Sequence, residues 1–513
     1  MLRLLLVALL GVAVPRPVAA QFVLQGAPTT LSLTTFASGL NFPVGMAELP
    51  DGSVLVAVSN GDSFYGATSG RLIRLVDADD DGVAETQQTL VADVPGASPT
   101  AVRVAGRLVV VTGQGQPVVV YRLGTDLSAP LALVGQLTAT YPGDWLHKHS
   151  ALAVRPDAAV PGRTEVWLQV GSRANFAATT TTVPLTSDLG LTGALAGESV
   201  YRFVLTDTGT SVVASDLEQI ATGLRNATGL AFQPSTGDLY LVDNGIDGLA
   251  SPDEPHSADE VNVIPAAQIG GAVEDFGFPD SYVAYRTGTV VGSRGIQPLV
   301  AIQPLPDPQT GAEAEGPNDA VFAPPLFAPE LTGHLVIGFH GRFTTGGTDN
   351  EENPLVTVDP ATGAYAHLVA ADEPGVGHLD GLMARGRDLF VADLATTGFI
   401  DPRGADTGAV YRIRYTGFPD TSDDGAAATG ASLVAAPSPF RGATTITLTT
   451  PVANRVRVDV LDALGRTVAV LHDGPVADER PLHLDGRALP AGVYTVRARG
   501  EGVRLFRRIV RLR

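Results

Sequence analysis

Hydrophobic residues in this chain fall into short runs, four to eight long, cut by Gly, Pro and Asp. One arrangement of runs recurs: a short apolar stretch, a turn, then a second stretch that alternates or is continuously apolar. It occurs at "GLNFPVGMAELPDGSVLVAVSNG" from Gly39 and "SPTAVRVAGRLVVVTGQG" from Ser98. It returns at "HKHSALAVRPDAAVPGRTEVWLQVGS" from His147 and "GLRNATGLAFQPSTGDLYLVD" from Gly223. The last two copies are "GPNDAVFAPPLFAPELTGHLVIGFHG" from Gly316 and "GHLDGLMARGRDLFVADL" from Gly377. Most copies lead into a third run of one flavour, "GRLIRLVD", "PVVVYRL", "ESVYRFVL" or "GAVYRIRY". Period-two alternation bounded by turn residues predicts β-strands, and no long helical periodicity competes with it.

Six copies of a several-stranded unit, spaced roughly fifty to ninety residues apart, predict the blades of a β-propeller. The expected fold class is all-β, a six-bladed propeller over 27–415 followed by a small β-sandwich. The wider spacings after the third and fourth copies predict inserted loops at 173–197 and 246–315, the kind of place where sites sit on a rigid scaffold. The segment 416–432, small, polar and acidic, reads as a linker. Over 433–513, "TTITLTT", "NRVRVDVLDALGRTVAVL", "LPAGVYTVRARG" and "RLFRRIVRLR" predict about seven short strands packed as the sandwich.

Composition narrows the functions. The 513 residues contain 58 Gly and 37 Pro, which suits many turns, and no Cys, which excludes disulfides, thiolate metal sites and Cys nucleophiles. The net charge of −20 argues against nucleic acid as a partner. The charge is uneven: 13 Arg face 7 acidic residues from Ser432 onward, a net of +6, leaving −26 for the rest. Lys148 is the only lysine. At the N-terminus, Arg3, the apolar run Leu4–Val14 and Val18-Ala19-Ala20 before Gln21 predict a secretory signal over 1–20. The run is too short to span a bilayer. The mature protein is expected outside the cell or on its surface, without a transmembrane segment.

Some polar residues interrupt the apolar pattern. Arg225 and Asn226 stand between strands of the fourth copy, where a buried blade needs neither. They are either part of a site or a polar pair closing the blade. His147 and His149 flank Lys148 ahead of the third copy, and either could act as a base or be an ordinary rim histidine. His340 and His378 fall at blade ends and read as rim residues. An acidic stretch, from Asp243 through Asp247, Asp253 and Glu254 to Asp259 and Glu260, follows the fourth copy. "DADDDGVAE", Asp77–Glu85, has D-x-D-x-D-G spacing; an EF-hand would place Glu at the twelfth position, where Gln88 stands, so it reads first as a solvated acidic turn, with a structural Ca²⁺ site as the alternative.

These residues resemble a known family. Gly223-Leu224-Arg225-Asn226 through Phe232, Asp259-Glu260-Val261-Asn262, Gly270-Gly271 through "DFGFP", Gly171-Ser172 with Asn175, and Gly408 to Ile413 match, in order, motifs of the pyrroloquinoline-quinone (PQQ)-dependent glucose/sorbosone dehydrogenases. His147, nine residues ahead of Pro156-Asp157, matches as well. That resemblance implies a six-bladed propeller binding PQQ and Ca²⁺ and oxidising a sugar at its anomeric carbon. It implies His147 as catalytic base, Arg225 and Asn226 as quinone-binding, and Gly245, Asp259 and Glu260 around the calcium. Arg342 and Arg403 would substitute for the cofactor-pairing bases of later blades. The chain departs from the pattern at His149 and Ser150, where the family carries glycines. The alternative is a non-catalytic surface propeller binding glycan or protein, like the propellers that accompany scytonemin synthesis.

The tail resembles a second family. Pro437-Ser438-Pro439-Phe440, "VDVLDALGRTV", "LPAGVYTVRA" and "RRIVRLR" together are similar to the C-terminal sorting domain of the type IX secretion system. This implies the secretion machinery as a partner and export to the cell surface; an extra binding sandwich is the alternative.

Overall fold

The structure is a computed structural model. It describes residues 22–25, 30–96, 98–157, 160–249, 254–342, 352–417, 432–438, 440–461, 467–500 and 503–512. The expected signal, 1–20, and most of the expected linker lie outside these. Among the described residues there is no α-helix, only strands and two short 3₁₀ turns, and no helix long and apolar enough to cross a membrane.

Each repeated sequence unit becomes one sheet of antiparallel strands, the third carrying in addition a short parallel edge strand, and the six sheets stand in a ring. The first contains Met46–Glu48, Val54–Ser59, Ser69–Val76 and Thr86–Pro95. The second starts at Pro99–Ala105, the third at Leu152–Pro156, the fourth at Ala227–Phe232 and the fifth at Pro317–Phe322. The sixth is Gly381–Arg385, Asp388–Asp393 and Gly408–Tyr415, completed by Leu31–Leu40 from the chain's start. The innermost strands of successive blades neighbour one another around the ring, and the sixth returns to the first. Pairing Leu31 with Tyr415 and Leu40 with Gly408 closes the ring across almost the whole propeller.

The continuous apolar runs now have a cause. Neighbouring residues of a strand point to opposite faces, and here both faces of a blade are covered by other blades. Leu55 and Val109 meet between blades one and two, Val110 and Leu168 between two and three, and Trp167 and Leu241 between three and four. Val242 and Ile337 follow, then Val336 and Val391, and finally Phe390 and Val56. At about 25 cal/mol per Å² of apolar surface, such inter-blade layers are the main stabilising term.

The insertions do different things. Thr182–Ser187 and Gly193–Ala196, expected as loop, form a hairpin on the outer edge of blade two, through Ala139–Leu185 pairing. The longer insertion returns to blade three as Glu274–Asp275 and makes a small hairpin of Tyr282–Val283 with Val290–Val291.

Among the described residues the tail has five strands rather than seven short ones. Ala443–Leu461 and Thr467–Asp485 are each 19 residues long and pair along nearly their whole length. The first half of Ala443–Leu461 also pairs with Ser432–Ala436 and its second half with Gly492–Gly500. Register shifts near Thr450 let one strand serve both halves around a core that includes Leu433, Ile446, Val456, Val496 and Ile509.

Candidate functional site

The polar residues that broke the pattern converge where blades three and four begin. The N–H of His147 donates to the Ser172 carbonyl at 3.0 Å, and the N–H of Ser172 donates to the Arg225 carbonyl at 2.7 Å. Gly171 makes this possible: a Cβ there would stand 2.6 Å from the His147 Cβ and 3.0 Å from the Arg225 carbonyl oxygen. The His147 segment and the Arg225 segment are therefore clasped on either side of one glycine.

Arg225 is 2% exposed. Its guanidinium donates to both oxygens offered by Asn175, the carbonyl at 3.1 Å and Oδ1 at 2.7 Å, and lies 2.5 Å from Asp247 Oδ2. The backbone N–H groups of Arg225 and Asn226 both donate to the Asp243 carboxylate, at 2.9 and 2.5 Å. The Asn226 side chain accepts from Gln169 at 3.1 Å and donates to Asn244 at 2.8 Å. Gly245 donates its N–H to Asp259 at 2.7 Å, and a Cβ on it would stand 2.3 Å from the Ser257 carbonyl oxygen.

Burial raises the acids here: Asp243 to about 6, Asp259 to about 7 and Glu260 to about 8, the last also pushed by Asp243 opposite it in the strand register. Burial lowers His147 to about 3, with Arg225 adding to the effect, so its imidazole is neutral across the physiological range. Its Nε2 is buried without a hydrogen-bond partner. Beside Arg225, Asp243 and Glu260 lies a small cavity that Phe276, Phe278 and Tyr282 also line.

The expected residues thus divide. His147, Arg225, Asn226, Gly245, Asp259 and Glu260 come together. Arg342 donates to Glu352 at 2.8 Å on the blade-five side. Arg403 is exposed, bonded to Asp401 and stacked on Phe399 at 3.7 Å, with no described contact to the cluster. His149 is fully buried; its Nε2 faces the Gln116 carbonyl at 2.6 Å and its Nδ1 the Tyr141 hydroxyl at 2.7 Å. The carbonyl can only accept, so Nε2 carries the proton, and both ring nitrogens are used in holding the fold. His340 bonds Asp380 at 2.9 Å and stacks on His378 at 4.2 Å; His378 is fully buried rather than at the rim. In the Asp77–Glu85 turn, Asp77 and Asp80 hold Arg412, and Asp80 also holds Arg414, across to blade six. Gln169 and Asn244 are new members. Gln169 had a signal, as the lone polar residue in "VWLQV"; Asn244 had none.

No protein-family model matches the chain, and no curated protein matches its sequence. Solved structures do match. A Trichoderma reesei carbohydrate-active enzyme of family AA12 is 15% identical with a TM-score of 0.49, covering 77% of this chain and 97% of its own. The pyranose dehydrogenase PQQ domain of Coprinopsis cinerea is 15% identical with a TM-score of 0.48, over 78% and 98%. The PQQ-bound aldose sugar dehydrogenase of Streptomyces coelicolor is 18% identical with a TM-score of 0.46, over 75% and 99%.

Proposed function

We propose that this protein is an exported sugar dehydrogenase of the quinoprotein type, working at the junction of blades three and four. The observation that carries the reading is the buried, unpartnered Nε2 of His147 beside Arg225. General-base removal of a hydroxyl proton needs an unengaged imidazole lone pair, which Nε2 supplies in the Nδ1–H tautomer. It also needs a pKa nearer neutral than about 3, which bound substrate and cofactor would have to restore. The nearby donor set fits the group the motifs imply. Arg225 and Asn226 are donors suited to quinone oxygens, and the oxygens of Asp259, Glu260 and the Gly245 backbone suit a hard cation such as Ca²⁺. PQQ, when bound, would supply the hydride acceptor. The chain's part is then to accept the sugar's anomeric hydroxyl proton at His147 Nε2. Arg225, fixed by Asn175 and Asp247, sets the positive charge beside that imidazole. Arg342 and Arg403 are proposed as outer contacts for the cofactor.

The proposed organisation is a signal over 1–20, the propeller over 27–415, a linker over 416–432 and a type IX sorting domain over 433–513. It rests on the terminal apolar run and the ordered tail motifs.

One observation favours a second reading, a non-catalytic surface propeller binding glycan or protein. The Arg225 guanidinium and the Asn226 amide already bond Asn175, Asp247, Gln169 and Asn244. Purified protein given PQQ and Ca²⁺ should retain the quinone through gel filtration and reduce an acceptor dye with at least one aldose. Absence of both retention and turnover would contradict the enzyme reading and leave the second.

A further inference from the structure

A separate group of acids lies where the chain enters blade five. Glu313, Glu315 and Glu352 each place a carboxylate oxygen so that all three lie within 4.8 Å of one another. The backbone holds them there: the Glu315 N–H donates to the Glu352 carbonyl at 3.1 Å, and the Gly341 N–H donates to the Glu315 carbonyl at 3.0 Å. Arginines guard only the outside. Arg342 bonds Glu352 at 2.8 Å, and Arg286 bonds both Glu313 and Glu254, the latter at 2.5 Å. Four carboxylates in this network thus face two guanidinium groups.

The inward-facing oxygens are left over. Oε1 of Glu315 and Oε2 of Glu313 are buried with no donor group to accept from. Burial and the neighbouring acids push the Glu315 carboxyl well up, so that without a cation it holds a proton that it can share with Glu313 and Glu352. The hydroxyl of Tyr285, a residue only 2% exposed, is buried without a hydrogen-bond partner, and its phenol feels Glu313 and Glu315 as its strongest charged neighbours. A phenol that can donate, beside carboxylates that can accept, yet bonded to neither, leaves room for something that all three oxygens share. Buried polar atoms are seldom orphaned without such an occupant.

We propose that Glu313, Glu315 and Glu352, with the Tyr285 hydroxyl, form a binding site for a divalent cation of the calcium class. Oxygens on a sphere of about 2.4 Å radius, the Ca²⁺–O distance, are at most about 4.8 Å apart. An irregular set of carboxylates suits Ca²⁺, which takes about six to eight oxygens in flexible geometry, better than Mg²⁺, which demands near-ideal octahedral geometry. The ion offsets the excess charge and ties the entry of blade five to Glu352, which is 3% exposed. The site neighbours the one in the quinone reading, since Arg342 bonds Glu352 and Asp259 acts on Glu315 and Tyr285, but its four ligands are not among the residues that reading uses.

The test uses the full chain, stripped with chelator and desalted, and titrated calorimetrically with Ca²⁺. Glu315→Gln should bind one Ca²⁺ fewer per chain than wild type and lose a calcium-dependent rise in Tm. Asp126→Asn, at an exposed turn where the carboxylate only caps Ser128, should keep both, which separates this site from the chain's surface acids. Tb³⁺ emission excited through tyrosine gives a second readout; it should fall in Tyr285→Phe while that variant remains folded. Equal Ca²⁺ stoichiometry in wild type and Glu315→Gln, or Tb³⁺ emission unchanged by Tyr285→Phe, would overturn the assignment. A Tm of Glu315→Gln above that of calcium-saturated wild type would also overturn it, since the cluster would then be an acid group sharing protons.

Discussion

The guanidinium of Arg225 and the carboxylate of Asp247 meet at 2.5 Å, although the Arg225 side chain is 2% exposed and that of Asp247 64%. A buried cation is neutralised from the solvent side by an acid on a loop. Asn175 Oδ1 completes the clasp by also accepting the Asp247 N–H at 3.0 Å. Removing the acid leaves the arginine with Asn175 and, further in, Asp243. Because Asp247 is largely solvated, Asp247→Asn should lower stability by about 1–2 kcal/mol rather than the larger loss seen on breaking a fully buried pair. Urea unfolding would check this; a loss near zero would mean that the pair does not hold Arg225.

Gly171 separates the His147 and Arg225 segments so narrowly that any side chain must push one of them. Gly171→Ala should cost about 1–3 kcal/mol, as overpacking does. It should also displace the His147 ring. Thermal unfolding together with the His147 NMR chemical shifts would check both, and an unperturbed shift would argue against the clasp.

His149 and His147 sit two residues apart and should respond oppositely to substitution. His149→Ala removes two ring hydrogen bonds and a buried ring stacked on Tyr141, so a loss of at least about 2–3 kcal/mol is expected. His147→Ala removes no side-chain hydrogen bond and should be nearly neutral in stability. Burial holds His149 down to about 4, below its ordinary 6.5. Its contribution is therefore present above pH 6.5 and lost as pH falls from 6.5 towards 4. His149→Ala should accordingly flatten the acid limb of the stability curve in that window.

Glu260 has the opposite sign. Its folded carboxyl, raised from 4.5 to about 8, binds a proton where the unfolded chain does not. The stability it contributes is full below pH 4.5 and lost as pH rises through about 8. Glu260→Gln mimics the protonated form. Its Tm should match wild type near about pH 5 and exceed it increasingly towards about pH 9. A constant difference across that range would place the raised acid elsewhere.

The propeller was legible because burial on both faces writes continuous apolar runs, and because six copies repeat the same run–turn–run order. Arg225 and Asn226 stood out against that background for the same reason. What was not legible depends on partners far apart in the chain. Leu31–Leu40 looks like any strand, and only its pairing with Gly408–Tyr415 makes it the ring's closure. The hairpin Thr182–Ser187 with Gly193–Ala196 lies inside blade three's sequence but pairs with blade two. In the tail, two long strands passed for several short ones, because the bend near Thr450 resembles a turn in one dimension. Within the site, Asn244 met Asn226 only through the fold. Glu313, Glu315 and Glu352 are likewise brought together only by the connections around blade five.

The role of His147 Nε2 is the centre of the functional account. The direct measurement is aldose-dependent dye reduction by wild type and His147→Ala, each loaded with PQQ and Ca²⁺, with retained quinone quantified in the same samples. The account predicts equal quinone retention and a loss of turnover of about 10²-fold or more in the variant. Undiminished turnover in His147→Ala with quinone retained would contradict it.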